Sequence, residues 1–345
     1  MHDRTDLFLV IIIICTSAFS FLRESYNDTA NYLYDFRNTE PLSVFLESGE
    51  LFDFGSNPLH DLYRAFIHEY TDNYHIYFFF PAVINSIAIA KLYKRFSCNL
   101  TFSFLIFFSI GTYVMFIAAL KQSIAVAILI LALPYAIDKK YVRFYLLVFL
   151  AMMFHTHAFM FLIVPFLFDK PWGKKTWIML AAVLFAMATY NATFGTFMEI
   201  ALGMGVNIVD WELFDGHRIN VIRILVYSIP TVLALVFRRR LFSDSTRIEN
   251  LFANMSIVTV FILSLGMIQG ANLFARMASY FEVYIALSLP WMIKKLFTKQ
   301  SAQIVNGIAY VLFFGYFLYE HAVSKSFGAQ YRAISMWQFI ASLFS

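Results

Sequence analysis

Residues 120–167 read LKQSIAVAILILALPYAIDKKYVRFYLLVFLAMMFHTHAFMFLIVPFL and are almost entirely apolar. Two polar interruptions divide this stretch, a basic break at residues 138–143 and the histidines His155 and His157. Apolar runs of this length are typical of helices that lie in a lipid bilayer. Polar side chains are costly at membrane depth, so Lys121 and the two histidines each require a reason to be there.

The composition of the whole chain agrees with a membrane protein. The 345 residues are 60% hydrophobic and 14% charged, whereas soluble domains are nearer half apolar and a quarter charged. The net charge of +4 does not indicate nucleic-acid binding, because the basic residues lie between apolar runs and form no single patch. Cys15 and Cys98 are far apart and predict neither a disulfide framework nor a zinc site.

The apolar runs predict an all-α polytopic membrane protein with about eleven transmembrane segments. The first run could be a signal peptide, but its start mixes acids with a base, so we expect a retained span. We expect one integral membrane domain, residues 1–345. The runs lie at residues 7–22, 74–93, 100–120, 122–137, 144–168, 176–197, 219–237, 251–270, 274–293 and 302–319.

Basic residues predict the orientation of these segments, since cytoplasmic loops collect Lys and Arg. With the N-terminus and every basic cluster inside, the run at 144–168 must leave and re-enter the same side. It is long enough for one helix and short for two, so we expect two short arms that turn near His155 and His157. These arms are either two short spans or a re-entrant hairpin beneath an outward-facing vestibule. The basic clusters lie at residues 91–95, 139–143, 170–175, 238–247 and 294–299.

The same parity places a polar loop at residues 23–73, the segment 198–218 and a C-terminal tail at residues 320–345 on the outer side. Most of the acidic residues fall in these segments. Acidic residues contribute little to orientation, so part of this asymmetry is expected by exclusion. The outer face is nevertheless the face that carries the chemical groups, and the inner face is mainly basic anchors.

Several short motifs, in this order along the chain, resemble the EpsG family, which is grouped with the Wzy-type polymerases of exopolysaccharide, capsule and O-antigen. The resemblance covers most of the chain. Many members of the family carry arginine where this chain has Lys121, which keeps the cation and loses a bidentate fork. The motifs are Arg23, Asn27-Asp28-Thr29 with Tyr32, Leu120-Lys121-Gln122-Ser123-Ile124-Ala125, Phe154-His155-Thr156-His157-Ala158, and Phe274-Ala275-Arg276 with Tyr280-Phe281.

The resemblance implies a glycosyltransferase that joins undecaprenyl-diphosphate-linked oligosaccharide repeats at the outer face of the bacterial inner membrane, with the N-terminus cytoplasmic. It suggests a glycosyltransferase-C-like core, no cofactor, and membrane lipids, a flippase and a chain-length regulator as partners. Such a reaction needs cations that hold the diphosphate and stabilise its developing charge. It also needs a base that accepts the proton of the attacking sugar hydroxyl.

Four cations are candidates for the diphosphate contact. Lys121 is the charged residue between residues 100 and 137, and the alternative is that it snorkels to the interface. Arg276 begins a span, as do Arg218 and Arg223, and each of these arginines could instead anchor its helix. Glu282 lies within an apolar run, where it could pair with a bundle arginine or act as an acid or base.

Two residues are candidates for the catalytic base, His155 and Asp28. His155 could instead be hydrogen-bonded within the bundle, and Asp28 could instead cap a helix. His157 is nearly opposite His155 on a helix, so the pair is not expected to reach one atom. The pair could also suggest a metal, but no third ligand at suitable spacing is present, so no metal site is predicted.

Three further residues are candidate sugar contacts, Arg23, Tyr32 and Tyr280. Asp28 and Tyr32 are four residues apart and would share one face of a helix. The aromatic side chains could stack on sugar faces, but an interfacial aromatic belt would place them equally well.

Two other classes of function stay open. A transporter or flippase of a lipid-linked or amphipathic substrate would favour inverted repeats with broken helices in matching halves, which the sequence does not show. Another outer-face membrane transferase, such as a glycan acyltransferase, would use similar histidines and arginines with a different donor.

Overall fold

The computed structural model describes residues 2–53, 56–190, 196, 199, 217–323 and 330–344. Within these ranges the chain is an all-α membrane protein with one small strand pair. Five helices are long and apolar enough to cross a membrane, and a sixth candidate is a helix pair broken near residue 110. Shorter apolar helices follow at Tyr141–Phe154, Thr156–Phe166 and Val221–Val236. The expected total of about eleven segments stays a prediction.

The chain divides into two compact units that alternate along the sequence. Unit 1 comprises Met1–Arg95, Tyr113–Phe159 and Leu318–Ser345, and unit 2 comprises Phe96–Thr112 and Met160–Phe317. Both units draw on separated parts of the chain, so neither is a sequential domain. The expectation of a single integral membrane domain stays a prediction.

Unit 1 contains the first span and the polar loop that follows it. Its elements are α1 (His2–Phe21), β1 (Arg23–Ser25), α2 (Thr29–Arg37), α3 (Leu42–Ser48), α4 (Pro58–Tyr70), α5 (Tyr74–Phe96), α7 (Thr112–Ala118), α8 (Leu120–Ile137), α9 (Tyr141–Phe154), β2 (Arg332–Ala333) and α17 (Met336–Ser342). The loop at 23–73 is therefore folded into helices that pack on the spans, with Phe36, Tyr77 and Phe78 in their shared core.

The C-terminal tail packs against the start of the polar loop. β2 pairs antiparallel with β1, and the Ile334 backbone N–H donates to the Leu22 carbonyl at 2.9 Å. Asn73 Nδ2 donates to the Ser342 hydroxyl at 2.8 Å, and Phe339 is buried beside Phe21. The tail and the loop thus pack together within unit 1, and their predicted location on the outer side stays a prediction.

Unit 2 is organised around one buried helix. Its elements are α6 (Leu100–Ser109), α10 (Lys174–Ala188), α11 (Val221–Val236), α12 (Arg238–Leu241), α13 (Arg247–Leu265), α14 (Ala271–Glu282), α15 (Ile285–Leu296) and α16 (Lys299–Leu318). A capping box of Thr246 and Glu249 starts α13. Residues on all sides of α13 are buried, and Ser256 reaches α15 through a 2.7 Å hydrogen bond to Ser288. A helix that is apolar and buried all round belongs in the centre of a bundle.

Three predicted apolar runs are interrupted. The run at 100–120 breaks at Gly111, whose φ of 81° lies in the left-handed region that favours glycine. The run at 144–168 breaks at His155, where extended backbone ends α9 and a 3₁₀ segment, Thr156–Phe166, begins. The run at 274–293, predicted as one helix, is two helices separated by Val283 and Tyr284. The predicted break at His155 is confirmed, while the reversal of its two arms stays a prediction.

Most of the predicted outer segment at 198–218 lies outside the described residues, as does the part of the tail at 324–329. Arg218, the last residue of the first segment, is described and exposed.

Candidate functional site

Helix α4 of unit 1 carries a group of polar side chains that contact one another and α5. The helix begins at Pro58, a residue favoured at the first helical position, after Asn57 in the left-handed conformation at φ 61°. Ala65 and Ile67 are buried toward the spans. The turn that follows Pro58 places His60 and Asp61 beside α5 and α8.

His60 is fully buried and has a partner at each ring nitrogen. Its Nε2 lies 2.8 Å from the Tyr77 hydroxyl, and its Nδ1 lies 3.3 Å from Asp61 Oδ1. A carboxylate only accepts hydrogen bonds, so Nδ1 carries the proton and Nε2 accepts from Tyr77. Asp61, His60 and Tyr77 therefore form one directed chain of hydrogen bonds.

Three cations or donors surround the Asp61 carboxylate. Arg64 Nη1 lies 3.3 Å from Asp61 Oδ1, and the same atom lies 3.7 Å from Asp35 Oδ2. Burial alone raises the pKa of Asp61, but the hydrogen bond from His60 and the charges of Lys121 and Arg64 outweigh it and lower that pKa. The Asp61 side chain keeps 15% of its surface exposed. It is an ionised carboxylate at the edge of a buried network.

The same surroundings keep His60 neutral. Burial lowers the pKa of His60 to about 4, and the hydrogen bond and charge of Asp61 oppose this effect only in part. The charges of Lys121 and Arg64 lower it further. We call His60, Asp61, Arg64, Tyr77 and Lys121 the Asp61 cluster.

Asn57 joins α4 to the histidine motif. Its Oδ1 accepts a hydrogen bond from the Thr156 backbone N–H at 3.0 Å and approaches the Thr156 hydroxyl at 3.4 Å. On either side of Thr156, the rings of His155 and His157 pack edge to face with centroids 4.9 Å apart. The structure therefore brings Lys121, the histidine motif and α4 together within unit 1.

The other candidates near the first span are mostly buried. Arg23 is fully buried, donates from Nε to Thr29 Oγ1 at 3.0 Å and lies over the Phe78 ring at 3.9 Å. Burial lowers the pKa of Arg23 to about 10, so it stays charged at neutral pH. Tyr32 is 8% exposed and packs with its ring 6.2 Å from that of His60.

Asp28 is half-buried at the N-cap position of α2 and makes no side-chain capping bond. The burial of Arg23 favours a packing role over a sugar contact. Its role in sugar binding, that of Tyr32 and the role of Asp28 as base stay predictions.

The remaining candidates belong to unit 2. Arg276 is half-buried on α14, and its charge acts on the Tyr280 hydroxyl one turn away. Tyr280 is 1% exposed, so packing accounts for its position. Glu282 is buried, accepts a hydrogen bond from Thr112 Oγ1 at 3.3 Å and feels the charge of Arg223. Both interpretations of Glu282, pairing with a bundle arginine and acting as an acid or base, stay predictions.

Sequence reasoning missed His60, Asp61 and Arg64. The three residues fall in a segment whose many acids could be explained by exclusion from the inner side. One signal was present, because Asp61 and Arg64 are three residues apart and share a helix face. Their importance depends on contacts with Tyr77 and Lys121, which lie 13 or more residues away along the chain.

Comparison with known proteins gives one match. A model of the EpsG family matches residues 6–334, nearly the whole chain. No curated protein and no solved structure matches the chain. The match covers most of both units, and the chain therefore belongs to the EpsG family of Wzy-type polysaccharide polymerases.

Proposed function

We propose that this protein joins undecaprenyl-diphosphate-linked oligosaccharide repeats into O-antigen, capsule or exopolysaccharide at the outer face of the bacterial inner membrane. The observation that carries the proposal is the family match over residues 6–334 of a chain built from apolar helices. The reaction breaks the bond between the anomeric carbon of the growing glycan and its lipid diphosphate. A hydroxyl of the incoming repeat forms the new glycosidic bond.

The leaving diphosphate requires a cation in a partly dehydrated site. Lys121 meets this requirement, because it is half-buried at the start of a membrane helix beside a polar cluster. Arg276, Arg223 and Arg218 are further candidates in unit 2, and the variant Arg276→Ala tests the first of them. Arg223 is the least suited of these, since it already acts on Glu282.

The attacking hydroxyl requires a proton acceptor. Unit 1 offers three candidates: Asp28 and His155, which the sequence indicates, and Asp61. Lipid-linked substrate reaches all of them through the outer leaflet if the loop at 23–73 is periplasmic. The proposal includes this orientation, with the N-terminus cytoplasmic.

Deletion of the gene tests the function. Glycans are separated on a gel from a deletion strain that carries the wild type, Lys121→Ala or Arg276→Ala at equal membrane levels. We expect single lipid-linked repeats in the deletion strain, long chains with the wild type, and few long chains with Lys121→Ala. Lys140→Ala is a matched control, because this exposed lysine lies away from the Asp61 cluster. Its Nζ pairs with Asp138 Oδ2 at a distance of 3.1 Å.

The same experiment separates the other classes of function. Long chains in the deletion strain contradict a polymerase. Repeats that fail to reach the outer leaflet indicate a flippase, and chains of normal length that lack acyl groups indicate an acyltransferase. Wild-type behaviour of Lys121→Ala leaves the function in place and removes Lys121 from the site.

A further inference from the structure

The Asp61 carboxylate is held on one side by a buried histidine and a cation, and part of it stays exposed. Its ion pair with Arg64 lies at the edge of the protein interior, since the two side chains are 15% and 20% exposed. Here a fully buried histidine and a fully buried tyrosine are added behind it. Buried polar groups cost free energy unless they are satisfied, and this chain of bonds ends at the exposed edge of Asp61.

We propose that Asp61 is the catalytic base of the polymerase reaction and that His60, held by Tyr77, is its positioning residue. The inference rests on the proposed function and assigns one of its roles. It places the reacting hydroxyl of the acceptor sugar at the exposed edge of the Asp61 carboxylate, on the side that His60 does not occupy.

The step balances without a cofactor. The acceptor hydroxyl oxygen bonds to the anomeric carbon of the donor, while the bond from that carbon to the diphosphate oxygen breaks and its electron pair leaves with the diphosphate. The hydroxyl proton passes to Asp61 and then to water. The attacking oxygen becomes strongly acidic as its new bond forms, so a carboxylate with a lowered pKa is a sufficient acceptor.

The positions of the cations suit this assignment. Lys121 and Arg64 keep Asp61 ionised at neutral pH. Lys121 is also the proposed diphosphate contact, so donor and acceptor would meet across one cluster. Neutral His60 cannot take the proton in place of Asp61, because burial and both cations oppose its charged form.

The geometry of Asp61 suits a general base. Its carboxylate is fixed by its bonds to His60 and Arg64, and a positioned group is what general-base catalysis requires.

The test uses the purified full-length protein in lipid nanodiscs, with lipid-linked repeats isolated from the deletion strain as both donor and acceptor. We expect Asp61→Asn to lower kcat at least 100-fold with little change in KM, because the amide cannot accept the proton. Asp28→Asn and His155→Gln are expected to retain more than a tenth of the wild-type rate. Asp72→Asn, a carboxylate with 98% of its side chain exposed, is the matched control and keeps full activity.

The pH profile tests the role of His60. Groups that face Asp61 are His60, Arg64 and Lys121, with Asp35 beyond Arg64, and His60 in turn faces Tyr77 and Tyr32. His60 holds the pKa of Asp61 down, so His60→Gln moves the acidic limb of the kcat profile to higher pH. A purely structural role would lower the rate at every pH and leave this limb in place.

Each outcome has one meaning. If the wild type makes no polymer from these substrates, the proposed function fails. If the wild type is active and Asp61→Asn retains more than a tenth of its rate, the function stands and Asp61 is not the base. If Asp61→Asn is inactive but no longer binds lipid-linked repeats, Asp61 is a binding or folding residue, and the proposal is overturned.

Discussion

The Asp61 cluster of unit 1 can be compared with a group of three residues in unit 2. Thr112, Arg223 and Glu282 form this second group, which we call the Glu282 group. Each places a carboxylate in apolar surroundings with a hydrogen-bond donor and a cation. Glu282 is 5% exposed inside a helix of the bundle. The Asp61 side chain is 15% exposed on a helix outside the candidate spans.

The difference indicates which carboxylate is available for chemistry. A carboxyl group enclosed in the bundle joins helices through its hydrogen bond, and its removal leaves the donor without an acceptor. A carboxylate that is held on one side by hydrogen bonds and is exposed on the other side can bind a substrate. Buried structural groups and catalytic groups both have shifted pKa values. Solvent exposure therefore distinguishes the two kinds of group better than the pKa shift does. Four experiments can break or sharpen this comparison.

Lys121→Ala is expected to give the largest effect, a loss of about 100- to 1000-fold in kcat, as for other donors that stabilise a developing anion. Lys121→Arg keeps the cation and is expected to retain most of the activity. The rate of chain elongation in nanodiscs measures both. Equal losses for the two variants would show that shape rather than charge matters at this position.

Glu282→Ala is expected to lower the free energy of unfolding by about 1 to 3 kcal/mol, because it leaves the buried Thr112 hydroxyl without its acceptor. The double variant Glu282→Leu with Thr112→Val is expected to recover most of that loss, since it replaces both partners by apolar groups. Thermal unfolding in detergent micelles measures both, with the exposed Glu47→Ala as control. A Glu282→Ala protein as stable as the wild type would contradict the structural role.

Acid is expected to destabilise the wild type through His60. The pKa of His60 is about 4 in the folded protein against an ordinary value of 6.5. Between pH 6.5 and pH 4 the unfolded chain therefore binds a proton at this histidine and the folded chain does not. Stability therefore falls between pH 6.5 and pH 4, by about 3 kcal/mol over the window. Asp61, whose pKa is also lowered, loses its contribution as the pH falls further.

His60→Gln is expected to flatten this dependence of stability between pH 6.5 and pH 4, as measured by the melting temperature at each pH. His68→Gln, on the same helix and partly exposed, is the matched control. An unchanged slope in His60→Gln would place the acid sensitivity elsewhere in the molecule.

Asn57→Gly is expected to give the smallest effect, about 1 kcal/mol from the lost hydrogen bond to Thr156. Asn57→Ala is expected to cost roughly 1 kcal/mol more, because alanine is strained at a φ of 61° and glycine is not. The midpoints of chemical unfolding measure the difference. The opposite order would mean that the backbone at Asn57 relaxes without cost.

The sequence predicted an all-α membrane protein, which is confirmed, and it indicated only part of the candidate site. Long apolar runs such as that at 122–137 predict helices because lipid leaves the backbone no other partner. The break at His155 followed from parity of the basic clusters. The break at Val283 and Tyr284 was missed, since neither residue is a glycine or proline that would signal it.

The site was harder because its members are distant in sequence. Lys121 was recognisable by itself, as one charge in an apolar stretch. Asp61 was one acid among many. No local sequence pattern predicts that His60 and Tyr77 are buried and form a hydrogen-bond chain with it. Long-range contacts of this kind are set by tertiary packing, which local pattern does not encode.

The pairing of β1 with β2 limits how many times the chain can cross the membrane between these two strands. Residues 23 and 333 lie side by side, so the chain must cross the membrane an even number of times between them. If α1 is one more crossing, the total is odd, which agrees with the expected eleven segments. Between these residues the described part of the chain holds four unbroken candidate spans and the helix pair broken at Gly111. A reporter fused after residue 344 and another at residue 40 must therefore report the same compartment.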